Sequence, residues 1–556
     1  MIKKEKQLYL FIIILLSGCV GYLALLNKSS ITNIYWGLAK KTYQSLEFLP
    51  RDIKIFNQQV QQAHVLLDQS TIPSAKELYL KMNSEGQIFN IGTGIGLTQT
   101  VYNTAPSVTR PTTMRKLLYN KASQIKNPYK WLKERQWYVL TSLPEIHCQD
   151  CKGYVNLHKI KEVSGEVREN ILQNVAETLI NPKYNEIIVT QCPYCHSPHI
   201  KMKPQVYKEF TTQQQSNMLQ QVVDLGSLTQ SKLLPSCRIS LQLSDVLQEN
   251  SDQIDSLKLK KVAQFIAQFK NPLIFFHHYS NPAVKPHLFE KQEDITWFAD
   301  ICRQIIQECP HVTHVCPISQ PFGFGFKVAN QEMLPPFGCH IDTAQYLKYI
   351  MLAQKEATIA IKSVRPDIKV LLSHQWKPMK PSHTKFYDPR YGFEKIASSI
   401  ADIMYNQSFI DLFKDQAEYV DGIALSIYPA LYFNYFKPID GNCSGIVDQH
   451  AALDSILEMH KTFPEKDIYI VEAGCNCSDP TTQKRFLDTA LYVCYLARQM
   501  SIPIKTCFFW THTNDIDFYR EWNYPPASTY FGFYDTIQPG SLNGFGAYLK
   551  EIITEQ

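Results

Sequence analysis

Two short motifs carry four cysteines at a spacing suited to metal: Cys148 and Cys151 in HCQDCKG, and Cys192 and Cys195 in TQCPYCHSP. A C-x-x-C turn can wrap one side of an ion, and two such turns supply the four thiolates of a structural zinc site with no open position for substrate. Two local disulfides in an oxidising compartment are the competing reading. His147 and His196 flank the pairs as substitute ligands or as neighbours. A second set of residues closes or follows short apolar runs: Gln99, Arg238, His278, Ser319, Gln320, Tyr428, Glu472 and Trp510. Amides, an imidazole and a guanidinium can bind hydroxyl groups, and an indole can stack on the C–H face of a sugar ring. Two carboxylates at one mouth would be the chemistry of glycoside hydrolysis, and Glu472 could be one of them.

The elements that must position this second set are eight runs: FNIGTG (89–94), SCRISLQL (236–243), NPLIFFHHY (271–279), HVTHVCPIS (311–319), IKVLLSH (368–374), VDGIALSIY (420–428), DIYIVEAG (467–474) and IKTCFFWTH (504–512). Stretches with helical periodicity separate most of them, at 256–269, 292–308, 343–363, 393–415, 447–461 and 482–499, and another follows near 541–553. Short continuous apolar runs alternating with helices are the pattern of βα units and a parallel sheet. Eight of them predict an α/β fold, the (β/α)8 TIM barrel, whose site lies at the C-terminal ends of the strands. The first connection is too long for a βα unit, so residues 140–205, with both cysteine pairs, are expected to form a small zinc-ribbon-like insertion in a barrel spanning 87–555.

In that frame the runs resemble glycoside hydrolase family 1, the β-glucosidase group. FNIGTGIGLTQTVYN is similar to the family's first-strand segment and implies Gln99 as a ligand of the sugar's outer hydroxyls. CRISLQLSDVL resembles the second-strand Arg-Phe-Ser-Ile-Ser-Trp motif, without its Trp, and implies Arg238 beside the nucleophile. FFHHYSNP resembles the third-strand His-Trp-Asp-Leu-Pro motif, which puts His278 on the sugar, with His277 one register away. IYIVEAG resembles Thr-Glu-Asn-Gly and implies Glu472 as nucleophile; LSIYP implies Tyr428 as its support. FFWTHTNDIDFYREWNYPPASTYFGFYD resembles the eighth-strand pattern and implies Trp510, Glu521 and Trp522 around the sugar. The fourth strand departs from the family. Where it has Asn-Glu-Pro, this chain has Ser319, Gln320 and Pro321.

An amide neither gives nor takes a proton near neutral pH, so Gln320 cannot act as the acid/base of a retaining pair. Glu332, in NQEML, is the nearest downstream carboxylate. Plant myrosinases, which resemble the chain here, also carry Gln but keep the Asn. The resemblance therefore implies a retaining β-glycosidase-like protein on β-linked glycosides, weak or assisted. Its alternative is an inactive pseudo-glycosidase that binds carbohydrate or a protein, as Klotho-like members do.

At the N-terminus a basic start precedes an uncharged, mostly apolar run from Leu8 to Leu26. That is long enough to span a bilayer as a helix, so residues 1–29 are expected to be a signal anchor, a lipoprotein signal modified at Cys19, or a cleaved signal. In the first two cases the barrel is membrane-tethered, on the extracytoplasmic side. Residues 30–86 look like a helical spacer. A net charge of +5 spread over 556 residues, without basic blocks, argues against nucleic acid as a partner.

Overall fold

The computed structural model describes residues 51–68, 72–84, 89–96, 145–155, 164–180, 189–203, 236–248, 251–278, 282, 284–285, 287–330, 339–383, 388–440, 449–475, 479–510 and 544–553. Chain contacts divide the molecule into residues 1–65 and 66–556. In the first unit the described residues are the start of a helix, Arg51–Asp68. The apolar run 8–26 lies outside the described residues. Among the described residues no helix is long and apolar enough to cross a membrane.

The second unit is built on eight strands: β1 Asn90–Gly96, β2 Cys237–Ser240, β3 Leu273–His277, β4 His314–Ile318, β5 Lys369–Gln375, β6 Gly422–Ile427, β7 Asp467–Ala473 and β8 Ile504–Phe509. All neighbours are parallel, and β1 pairs with both β8 and β2, so the sheet closes on itself. Every expected run contributes one strand. Seven helices follow them: α1 Ser256–Ile266, α2 Gln292–Glu308, α3 Thr343–Val364, α4 Pro389–Asp402, α5 Gln449–Thr462, α6 Pro480–Gln499 and α7 Gly544–Ile553. The single helix expected over 393–415 is instead broken, with a wide turn at Ile403–Gln407 between α4 and Ser408–Phe413.

Local chemistry sets these boundaries. Asp255, Asp342, Asp388 and Asp479 each cap a helix by accepting backbone N–H bonds from its first turn, and Pro389 and Pro480 open two of those helices. A capping carboxylate satisfies donors that the helix itself cannot, and proline at the first position sacrifices no hydrogen bond. On α2, Ile295, Phe298, Ala299, Cys302, Ile305 and Ile306 are buried. That three-and-four spacing is the stripe a helix lays against a sheet.

Inside the barrel, Leu273, Phe275, Cys316, Leu371, Ala424, Tyr469, Val471 and Phe508 pack together from six strands. Side chains drawn from so many strands can meet only within the closed sheet, where they fill it as a core. A separate three-stranded sheet, Tyr154–Val155, Glu145–Cys148 and Ile200–Lys203, is antiparallel and carries the cysteine pairs. A third small sheet, Met379–Pro381 with the hairpin Leu431–Asn434 and Lys437–Asp440, follows β5 and β6.

Candidate active site and cysteine cluster

Four of the predicted site residues, Arg238, His278, Gln320 and Tyr428, stand around the carboxylate of a fifth, Glu472. Glu472 lies near the end of β7, buried, with Arg238 Nη2 2.6 Å from its Oε1. Tyr428, just past β6, donates its hydroxyl to Oε2 at 2.9 Å. Gln320, just past β4, donates its amide to the same oxygen at 3.1 Å and to Ser426 Oγ at 3.2 Å. His278 Nε2 stands 4.0 Å from Oε1. Ser426 was not among the predicted residues, although it sits two positions before Tyr428 in LSIYP.

A register shift explains how Glu472 reaches this place. Strand side chains alternate between faces, and Tyr469 and Val471 already point into the barrel core. Glu472 would then point outward. Instead β7 carries one extra residue against both neighbours: Leu425 and Ser426 pair with Ile470 and Glu472, and Cys507 and Phe509 pair with Ile470 and Ala473. Such a bulge re-aims a side chain. It turns Glu472 toward Arg238 and Tyr428.

Arg238 is the second residue of β2, deeper in the barrel than a strand-end residue. Its guanidinium lies over the Phe275 ring at 4.2 Å and the Trp510 ring at 4.4 Å. Flanking aromatic faces suit a buried guanidinium. The close approach of Nη2 to Oε1 is off the line of its N–H bonds, so charge more than an aligned hydrogen bond holds the pair. Of the two neighbouring histidines, His278 faces the site, edge-on to Trp510 at 5.6 Å. His277 instead packs among Phe289, Phe298 and Phe324. Burial first, and the Arg238 charge second, hold the His278 pKa well below its ordinary value, so its imidazole is neutral.

The fourth strand end is unusual in conformation as well as in sequence. Gln320 has φ 44° and ψ 59°, the left-handed region, and is buried. A non-glycine residue there costs on the order of 1–3 kcal/mol and persists only where its surroundings enforce it. Pro321 and the short turn Pro321–Gly325 follow directly, and the amide bonds to Ser426 and Glu472 lie on the other side. Ser319 is fully buried, and its Oγ has no hydrogen-bond partner among the described residues. Gln99, Glu332, Glu521 and Trp522 lie outside the described residues.

In the small antiparallel sheet the four cysteine sulfurs all lie within 4.8 Å of one another. Cys148 and Cys195 are 3.6 Å apart, as are Cys151 and Cys192. A disulfide needs about 2.05 Å, whereas sulfurs about 2.3 Å from a tetrahedral ion stand roughly 3.8 Å apart. Gly153 N–H donates to Cys151 Sγ and Tyr194 N–H to Cys192 Sγ, at 3.3 and 3.4 Å. Such donors stabilise thiolates. A backbone hydrogen bond at Cys151, the largest of several influences, draws the Cys148 thiol down to about 7, while burial pushes Cys192 up to about 12. The ring of His147 lies against Tyr154, 4.6 Å between centroids, and neither it nor His196 belongs to the four-sulfur group.

No protein-family model matches the sequence, and no curated protein matches it. Solved structures do match the fold. A β-glycosidase, BGL167, aligns with a TM-score of 0.50 at 16% identity, covering 62% of this chain and 86% of its own. The AHE enzyme from Alicyclobacillus herbarius aligns with a TM-score of 0.50 at 12% identity, covering 62% and 87%. At these identities the likeness is one of fold.

Proposed function

We propose that the barrel mouth holds the sugar of a β-linked glycoside and that Glu472 attacks its anomeric carbon, as in a retaining glycosidase without its own acid. The observation that carries this reading is the environment of Glu472. A bulge turns it into the mouth, Arg238 balances its charge, and Tyr428 orients one of its oxygens. In the first step an Oε–C1 bond forms while the C1–O bond to the aglycone breaks, and the departing oxygen takes the electron pair. Gln320 has no proton to give that oxygen, so the leaving group must depart as a stable anion or be protonated from solvent. Water then attacks C1, the C1–Oε bond breaks with its electron pair returning to the Glu472 carboxylate, and the water's proton passes to solvent because the Gln320 amide cannot accept it.

A second reading, sugar binding without turnover, rests on Gln320 itself. A retaining pair holds its carboxyl groups about 5–5.5 Å apart with the sugar between them. Here the amide is in direct hydrogen bond with Glu472 at 3.1 Å, and it must swing aside before an anomeric carbon can approach. Turnover by the full-length chain separates the two readings. The proposal expects dinitrophenyl β-glycosides to be hydrolysed at least about 10²-fold faster than alkyl β-glycosides; failure with both, alongside measurable sugar binding, would select the second.

The four cysteines, Cys148, Cys151, Cys192 and Cys195, are proposed to hold a structural zinc ion. Their separations suit a tetrahedral ion, and a cation would replace the protons on closely spaced sulfurs. The sugar chemistry would need no cofactor. Tethering through residues 8–26, with the barrel on the extracytoplasmic side, is likewise proposed from the length of that apolar run.

A further inference from the structure

A second cluster of ligating groups includes neither the residues around Glu472 nor the four cysteines. His287 and Glu290 lie in the connection between β3 and α2, and His340 lies in the connection between β4 and α3. His287 Nδ1 is 2.9 Å from Glu290 Oε1, and His340 Nδ1 is 2.9 Å from Glu290 Oε2. The two imidazoles lie against each other, 4.1 Å between centroids at 37°. Both therefore turn the same ring nitrogen toward one carboxylate.

The backbone is shaped for this arrangement. Phe289, between the two ligands of the first loop, has φ 73° and is fully buried. A bulky residue in the left-handed region is a genuine outlier that surrounding structure must enforce. Tyr346 helps by donating its hydroxyl to the Leu288 carbonyl at 3.3 Å. With Leu288 and Phe289 buried, His287 and Glu290 are left side by side. The Glu290 side chain is only 5% exposed, while those of His287 and His340 are 35% and 59% exposed. One side of the cluster thus opens to water.

We propose that His287, Glu290 and His340 bind a divalent cation of the zinc, cobalt or nickel class, with a solvent-facing fourth position. Two imidazoles and one carboxylate are a donor set for such borderline ions, and not for calcium or magnesium, which take mostly oxygen ligands. At metal–ligand distances of about 2.0–2.1 Å a tetrahedral ion spaces its ligand atoms roughly 3.3 Å apart. One ring nitrogen of each histidine and one Glu290 oxygen already lie within 4.8 Å of one another, so small side-chain rotations bring them to that spacing as the ion takes the place of the protons now shared between nitrogen and carboxylate. Metal would fasten the loop after β3 to the loop after β4. Those loops continue from the strand ends that carry His278 and Ser319–Gln320.

The test is cobalt(II) and zinc titration of the metal-stripped full-length chain, followed by calorimetry and visible spectroscopy. The expected result is a binding step whose cobalt spectrum lacks thiolate-to-metal charge transfer, which separates it from the cysteine cluster. That step should weaken by more than about tenfold in both His340→Ala and Glu290→Gln, and should persist in a Cys148→Ser/Cys151→Ser variant. His340 is mostly exposed, so its replacement leaves the core intact. Absence of a nitrogen–oxygen cobalt spectrum, or the same step at unchanged affinity in folded His340→Ala and Glu290→Gln, would overturn the assignment.

Discussion

At the scale of single residues, the proposal turns on Gln320. Replacing its amide by a carboxyl, Gln320→Glu, is expected to raise turnover of alkyl β-glycosides by about 10²–10⁴-fold and to give a bell-shaped pH profile. The nearby charge of Glu472 would push the introduced carboxyl's pKa upward and keep it protonated as an acid. Unchanged turnover and a flat profile would count against a sugar lying between these two positions. Arg238 is a matter of charge balance. Arg238→Met strands a buried carboxylate and should cost about 3–5 kcal/mol in urea unfolding, and Arg238→Met/Glu472→Gln should recover part of that loss. A third residue, His374, is fully buried and stacked on Phe409 at 3.7 Å, with the Asn406 side chain beside its ring. Burial lowers its pKa from 6.5 to about 3. The unfolded chain then binds a proton that the folded chain refuses, so stability falls as pH drops below 6.5 and continues to fall toward about 3. About 2 kcal/mol should be lost by roughly pH 5 from this group, and His374→Phe should flatten that part of the stability–pH curve.

At the scale of elements, the strands were legible in the sequence because each barrel strand is a short continuous apolar run between stretches with helical spacing. LIFFH in β3 is buried at every position, as a strand covered on both faces must be. The bulge in β7 was not legible. IYIVEAG has no residue that marks it, and only the register against β6 and β8 reveals it. The hairpin at 431–440 was missed for a related reason: it pairs with Met379–Pro381, remote in the chain. Choosing between His277 and His278 likewise needed the fold, since both close the same apolar run. Packing between neighbouring strands gives a prediction at this scale. A Cβ at Gly422 in β6 would stand 2.8 Å from the Asp467 carbonyl oxygen and 3.1 Å from Leu371 Cδ2. Backbone cannot yield as a flexible side chain does, so Gly422→Ala should destabilise by about 1–3 kcal/mol. Thermal unfolding would report it, without a change of ligand.

At the scale of the whole molecule, the chain joins a barrel to a cysteine-bearing sheet placed between its first two strands. The cysteine spacing pointed to an insertion there in the sequence, because four cysteines in two tight turns leave a local pattern. The His287, Glu290 and His340 cluster left none, since its members come from two loops fifty residues apart. Zinc at the cysteines predicts that chelation unfolds the small sheet while the barrel's helical circular dichroism persists. A cysteine sheet that keeps its protection from proteolysis in chelator would contradict it.

The most direct test of the central claim is intact-mass analysis of the full-length chain after incubation with a 2-fluoro aryl β-glycoside whose leaving group needs no proton, with and without azide. The account predicts a glycosyl adduct on Glu472, absent in Glu472→Gln, and its discharge by azide. A folded protein that acquires no adduct from gluco, galacto and manno donors would contradict nucleophilic catalysis by Glu472 and leave the barrel as a binding site.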